Sequence, residues 1–417
     1  MPFLAFEKRV VTQNDGKYFV PAWSVTILNG CNKEIFNTAK VNSQTSIMVK
    51  ISDGDSSSKL NWKWKMEPKK DTMHGKGSLK AHQLLEQKEL TMDASDYLWY
   101  MTSVDINDTS IWRNATLRVD TMGHTLHGYV NRSATVGLAN YGAWFDEIKT
   151  GISGRPVQLI GKNNVTMDLS TNLWSYKVGL NGEIKRLYDL QPQVGVSWNI
   201  NSSYIPTGKP MTWYKAKFKS PLGTNPVVVD LQGLGKGHAW VNGHSIGRYW
   251  PSWITSTNGC SDTCDYRGKY SKEKCNTNCG SPSQRWYHVP RSFLNDDMNT
   301  MVLFEEIGGN PQSVQFQTVI TGIICANVYE GAQLELSCEN GQIISQIQFA
   351  SFGNPEGQCG SFKKGSWEAT DSQSIVEAAC IGKTNCGFTV TKEMFGVPFG
   401  TMSVKNNIAR LAVQVTC

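Results

Sequence analysis

Apolar and polar residues alternate with period two across residues 213–219 (WYKAKFK), the pattern of a half-buried strand. Pro221, Gly223 and Pro226 break the run, and Val227, Val228 and Val229 then predict a fully buried strand. A glycine-rich turn from Gly233 to Gly237 leads to a short strand at residues 239–241. Asn242-Gly243 follows, the dipeptide best suited to the left-handed angles of a tight hairpin. Short strands with turns at this spacing predict a β-sandwich or jelly roll.

A weaker copy lies upstream. Trp99-Tyr100 matches Trp213-Tyr214, and residues 127–131 (HGYVN) match 238–242 (HAWVN), so the chain reads as two related sandwich modules. In the second, Asn242 is followed by a long loop, a strand at 285–290 (RWYHVP) and another at 301–306 (MVLFEE). In the first, Asn131 runs almost directly into residues 134–138 (ATVGL), which implies that several strands, roughly forty residues, are absent near Arg132-Ser133. Lost inner strands leave unpaired edges, so this module is expected to be unstable.

The remaining segments read more briefly. Residues 18–28 and 34–41 look like strands ending a β-domain, and 52–58 (SDGDSSS) is a polar linker whose Asp-Gly-Asp lacks the distal Glu of a calcium loop. Residues 59–70 (KLNWKWKMEPKK) read as a solvated basic loop, suited at most to an acidic polysaccharide. Asp371 is expected to cap a helix over 374–380, ended by Gly382. The implied modules are 1–58, 59–205, 206–322 and 323–417.

Composition narrows the function. The 417 residues hold 14 Trp, 14 Tyr and 15 Phe but only 18% charged residues, a balance suited to sugar binding through flat aromatic faces. A net charge of +6 without a clustered basic run argues against nucleic acid. Eleven cysteines and five glycosylation sequons (Asn107, Asn114, Asn131, Asn164 and Asn201) indicate an oxidising, secretory compartment. Residues 1–10 lack the apolar core of a signal peptide, so the natural N-terminus is expected upstream, with the partner of Cys31. No apolar run is long enough to span a membrane. The seven histidines lack metal spacing, and the GLGKG run precedes a strand rather than a helix, so no metal, nucleotide or other cofactor is expected. Cys260, Cys264, Cys275 and Cys279 could hold zinc or form two disulfides; the spacing and compartment favour disulfides. Of the three connectivities, nesting Cys260–Cys279 around Cys264–Cys275 is preferred.

The phrases ASDYLWYMTSV, GKGHAWVNGHSIGRYWP, RWYHVPRSFL, FEEIGGNP and WSVTILNGCNKEIFNTAKV resemble the C-terminal half of plant β-galactosidases of glycoside hydrolase family 35. The resemblance implies a signal peptide and a catalytic (β/α)8 barrel ahead of this region, and the sequence shows no βα alternation that could build one. Retaining hydrolysis needs two carboxyl groups about 5–5.5 Å apart. No position matches the family's barrel glutamates. Glu305-Glu306 would point to opposite faces of a strand, while Asp146-Glu147 and Asp296-Asp297 lie in loop-like sequence. No catalytic residue is assigned, and the chain alone is expected to be inactive. Its expected role is the carbohydrate-binding scaffold of a secreted, cell-wall enzyme that releases terminal β-galactose from polysaccharides or glycoproteins, partnered by the missing barrel. The rival is a free-standing galactoside-binding lectin.

Residues 323–417 resemble the galactose/rhamnose-binding lectin domain of egg-lectin type through VYEGAQLELSC, IQFASFGNPEGQCGSF and ARLAVQVTC. That resemblance implies bridges Cys325–Cys359, Cys338–Cys417 and Cys380–Cys386, with Trp367 standing where a further cysteine is usual. It also implies sugar contacts at Glu330, at the aromatic-glycine turn Phe352-Gly353 with Asn354, and at Arg410 beside Ala409, where a lysine is usual. The expected fold is all-β: tandem galactose-binding-like jelly-roll sandwiches plus a small disulfide-bonded lectin domain with a short helix.

Overall fold

The computed structural model describes residues 9–417 except 14–15, 21–23, 31–32, 53–59, 69–76, 122–125, 129–134, 139–148, 153–155, 192–194, 201–203, 261–274 and 398–408. Hairpins β1 (Arg9–Gln13) with β2 (Gly16–Val20) and β3 (Thr26–Asn29) with β4 (Lys33–Asn37) come first, then β5 (Thr45–Ile51) and β6 (Lys63–Met66). The first sandwich contains β7 (Leu79–Ala81), β8 (Tyr97–Met101), β9 (Thr116–Val119), β10 (Leu126–His127), β11 (Thr135–Leu138), β12 (Val157–Ile160), β13 (Thr166–Asp168) and β14 (Trp174–Val178). Its sheets run β10-β11-β8-β14-β7 and β13-β12-β9. The second contains β15 (Thr212–Lys219), β16 (Val227–Asp230), β17 (Gly237–Val241), β18 (His244–Tyr249), β19 (Trp286–Val289) and β20 (Met298–Glu305), and β21 (Gln315–Tyr329) leads out of it. The last unit adds β22 (Gln333–Ser337), β23 (Gln346–Gly353), the helix Ser372–Cys380, β24 (Asn385–Thr389) and β25 (Arg410–Thr416).

The sequence YLWYM of β8 is apolar at every position because both of its faces are covered. Leu98 and Tyr100 point into the first sandwich with Trp174, Tyr176 and Val157. Tyr97, Trp99 and Met101 point the other way, against Trp213, Trp240, Val302 and Phe304 of the second sandwich. The sheet β18-β17-β20-β15-β6 is likewise covered twice, its other face holding Tyr214, Ala216, Phe218, Val241 and Leu303 over β16 and β21. Two sandwiches thus stack sheet on sheet, and the repeated Trp-Tyr pairs explain how. Trp99 and Trp213 enter the shared layer, while Tyr100 and Tyr214 enter their own cores.

Topology extends the repeat. β8, β11 and β10 are ordered as β15, β20 and β17. The second module places β18 and β19 within residues 242–297, whereas only residues 128–134 separate β10 from β11. Among the described residues the first module has no counterpart of β18 or β19. Asn242 and Gly243 turn the β17–β18 hairpin with φ of 50° and 86°, as the dipeptide predicts.

Buried polar groups join the two sandwiches. Glu306 accepts from the Tyr97 hydroxyl at 2.7 Å and pairs with Lys236 at 3.0 Å and Arg248 at 3.2 Å, and Arg248 also meets Asp96 at 3.3 Å. Glu67 accepts from the Asn181 and Gly182 N–H groups and from the Trp213 indole at 2.9 Å; burial nonetheless raises its pKa. Glu183 accepts from the Leu180 N–H at 2.8 Å and the Ser95 hydroxyl at 2.7 Å, closing the first turn of the helix Asn181–Ile184. Burial pushes its carboxyl up to about 7, and the charges of Asp96 and Glu67 act in the same sense.

Two expectations are corrected here. Residues 63–66 are not a loop: β6 pairs with β15 in the second sandwich, and Trp62 is buried in that core. The lysines hid this strand, because they occupy the face that leaves the core. Between the modules set at 206–322 and 323–417 the backbone is one continuous strand. β21 pairs with β16 at one end, with β5 across its middle and with β25 at the other end. Gly322 sits at an irregularity in the β5 register, where an added Cβ would lie 2.3 Å from Val49 Cγ2. The helix begins at Ser372, and the Asp371 side chain makes no capping bond.

Candidate functional site

The last unit packs β21-β25-β23 against β22-β24 and the helix Ser372–Cys380 around Ile324, Val328, Leu336, Phe352, Val376 and Leu411. Disulfides join Cys325 to Cys359, Cys338 to Cys417 and Cys380 to Cys386, and in the second sandwich Cys260 to Cys279. Cys275 is also disulfide-bonded; Cys264 lies outside the described residues, as does Cys31.

At one end of this sheet the register aligns Tyr329 of β21, Arg410 of β25 and Gly353 of β23 in a single row. Glu330 and Asn354 follow that row where their strands end. The Glu330 N–H donates to the Ala409 carbonyl at 2.9 Å, and the Gly331 N–H donates to Val390 at 2.7 Å, which brings the segment after β24 alongside. Lys392 from that segment places its amine 3.0 Å from the Glu330 carboxylate, both side chains being partly exposed. Arg410 donates to the Pro355 carbonyl. Asn354 donates to the Ser366 hydroxyl at 2.8 Å and accepts from the Trp367 N–H at 2.9 Å, so it holds the neighbouring turn in place. Gly353 admits no side chain, since a Cβ would lie 2.4 Å from the Trp367 carbonyl oxygen.

Phe352 requires correction as a sugar-facing ring. It is fully buried, stacked on Phe395 with centroids 4.5 Å apart, because the alternation of β23 turns it inward. Ala409, which stands where a lysine is usual in the lectin family, is also in the core. The cation that meets Glu330 is Lys392, which sequence reasoning missed; no spacing rule links the two, only the Gly331–Val390 pairing. The rim therefore offers a carboxylate acceptor and an ammonium in one partly solvated pair, while Arg410, whose guanidinium donates to the Pro355 carbonyl, lies in the next row of the sheet. Such a set can grip adjacent hydroxyls of a pyranose by charge-assisted hydrogen bonds.

The acidic pairs considered for catalysis do not converge. Glu305 turns back to accept from the N–H groups of Gly235, Lys236, Ile307 and Gly308, and burial raises its pKa. Glu306 faces the other way, into the layer between the sandwiches. Asp296 and Asp297 are exposed, and Asp146 and Glu147 lie outside the described residues. Among the described residues no cluster of His, Cys, Asp or Glu could hold a metal ion, and no helix is long and apolar enough to cross a membrane. Asn107, Asn114 and Asn164 are exposed; Asn131 and Asn201 lie outside the described residues.

Comparison with known proteins adds three domain matches. Residues 211–299 match the galactose-binding domain of β-galactosidase, residues 336–417 the D-galactoside/L-rhamnose binding SUEL lectin domain, and residues 6–41 a β-sandwich domain in β-galactosidase. The chain is 38% identical over 94% of its length to Beta-galactosidase 6 of Oryza sativa subsp. japonica, covering 53% of that protein. It is 37% identical over 98% of its length to Beta-galactosidase 8 of Arabidopsis thaliana, covering 54%, and 36% identical over 93% to Beta-galactosidase 3 of Oryza sativa subsp. japonica, covering 52%. The chain thus spans about half the length of the curated relatives it matches.

Proposed function

Because this chain belongs to the plant β-galactosidase family and carries its galactose-binding and lectin domains, we propose that it holds galactose-containing glycans through the Glu330–Lys392 rim of the lectin unit. The observation that carries this reading is the partly exposed carboxylate–amine pair at 3.0 Å, with Arg410 in the adjoining row. Asn354 and Gly353 act by fixing the 366–367 turn that borders the rim. Release of terminal non-reducing β-galactose from cell-wall polysaccharides or glycoproteins would belong to the whole protein, with this chain as its binding scaffold. The disulfides, together with exposed sequons at Asn107, Asn114 and Asn164, support a secreted, glycosylated product acting in the cell wall.

Calorimetric titration of the chain with galactose tests the site. Glu330→Ala is expected to abolish binding while leaving the folding transition of the lectin unit in place. Unchanged affinity would remove the rim as the site.

A further inference from the structure

The face of β15 that buries Trp213 continues outward as a row of lysines. Lys215, Lys217 and Lys219 follow Trp213 at period two, and on β6 Lys65 pairs with Trp213 and Lys63 with Lys215. Directly paired residues share a face, so all five lysines lie on one side of two adjacent strands. Like charges placed directly opposite each other destabilise a sheet, yet Lys63 stands opposite Lys215. Burial, then the charges of Lys217 and Lys63, lower the Lys215 pKa, while Asp189 acts in the opposite sense. Among the described residues none of the five lysines is in an ion pair. Lys65 donates to the Ser197 carbonyl at 3.1 Å, and the half-buried Trp198 ring lies 5.9 Å from the Lys215 amine.

A local arrangement that opposes folding stability calls for another reason to exist. Same-face residues along a strand are about 7 Å apart, so the three lysines of β15 form a straight cationic row about 14 Å long. A linear chain with a carboxylate on each sugar complements that row, and the ring of Trp198 offers an apolar surface beside it. We propose that this lysine face binds a carboxylate-bearing polysaccharide, a run of uronic-acid residues. The assignment does not rest on the galactoside rim, which lies in the other unit.

The test uses the whole chain and polygalacturonate as probe, in low salt of about 50 mM, where exposed charges are least screened. Wild type is expected to bind, with affinity falling steeply as salt rises and with no competition from excess free galactose. The triple variant Lys215→Gln/Lys217→Gln/Lys219→Gln should bind about tenfold more weakly with a shallower salt dependence. It should keep its galactose affinity and melt no lower than wild type, because repulsion has been removed. Lys149→Gln/Lys162→Gln/Lys383→Gln, which removes the same charge elsewhere, should bind as wild type does. The proposal is overturned if wild type does not bind, if both triples lose affinity equally, or if galactose competes. Equal or tighter binding to duplex DNA or to phosphatidylserine vesicles also overturns it.

Discussion

Glu183→Gln isolates the electrostatics of the layer between the two sandwiches. In the folded chain burial pushes the Glu183 carboxyl up to about 7 from an ordinary 4.5, with Asp96 and Glu67 adding to the effect. Between these pH values the folded chain keeps a proton that the unfolded chain has released, so raising the pH through this window favours unfolding. At about 1.4 kcal/mol per tenfold change in proton affinity the loss amounts to about 3 kcal/mol, and residual solvent access reduces it to about 2 kcal/mol. Glutamine retains an oxygen for the Leu180 N–H and the Ser95 hydroxyl but cannot ionise. His238, stacked on Trp240 at 4.2 Å, works in the opposite direction. Burial, followed by the Arg248 charge, lowers its pKa to about 4, so its contribution is complete above 6.5 and is lost as the pH falls towards 4. His238 and Glu67 are present in both proteins, so the difference between variant and wild type reports Glu183 together with its coupling to Glu67 and Asp96. Urea unfolding followed by tryptophan fluorescence from pH 4.5 to 7.5 should show wild type losing about 2 kcal/mol more than the variant. Parallel curves would refute the reasoning.

Two further substitutions probe packing. Phe352→Ala removes a fully buried ring from the lectin core and should lower its stability by about 3–5 kcal/mol in urea unfolding, with galactose affinity of the folded protein retained. Gly182→Ala would place a Cβ 2.2 Å from Cε2 of Trp213, so the indole must shift; a loss of about 1–3 kcal/mol and a changed near-ultraviolet circular dichroism spectrum are expected.

The strands most legible in the sequence were those whose residues respond to one neighbour at a time. The alternation at 213–219, the hairpin at Asn242-Gly243 and the Trp-Tyr repeat each correspond to an element of the fold. What escaped depended on contacts far apart along the chain. The KLNWKWKMEPKK segment reads as polar until β15 is placed beside it, after which Trp62 is core and the lysines form a surface. Phe352 looks like a binding-site ring until the stacking of Phe395 shows which face of β23 it occupies. Lys392 reaches Glu330 only because of a turn between distant segments. The continuity of β21 was equally hidden, since it depends on pairing with β16, β5 and β25 in succession.

That continuity has a mechanical meaning. A module attached by a flexible tether searches a volume, and its contribution to avidity depends on tether length. Here a single strand is backbone to both the second sandwich and the lectin unit, and β5 splints it across the junction. The lectin unit is therefore held like the fixed arm of a caliper, its position set by strand pairing rather than by the swing of a tether.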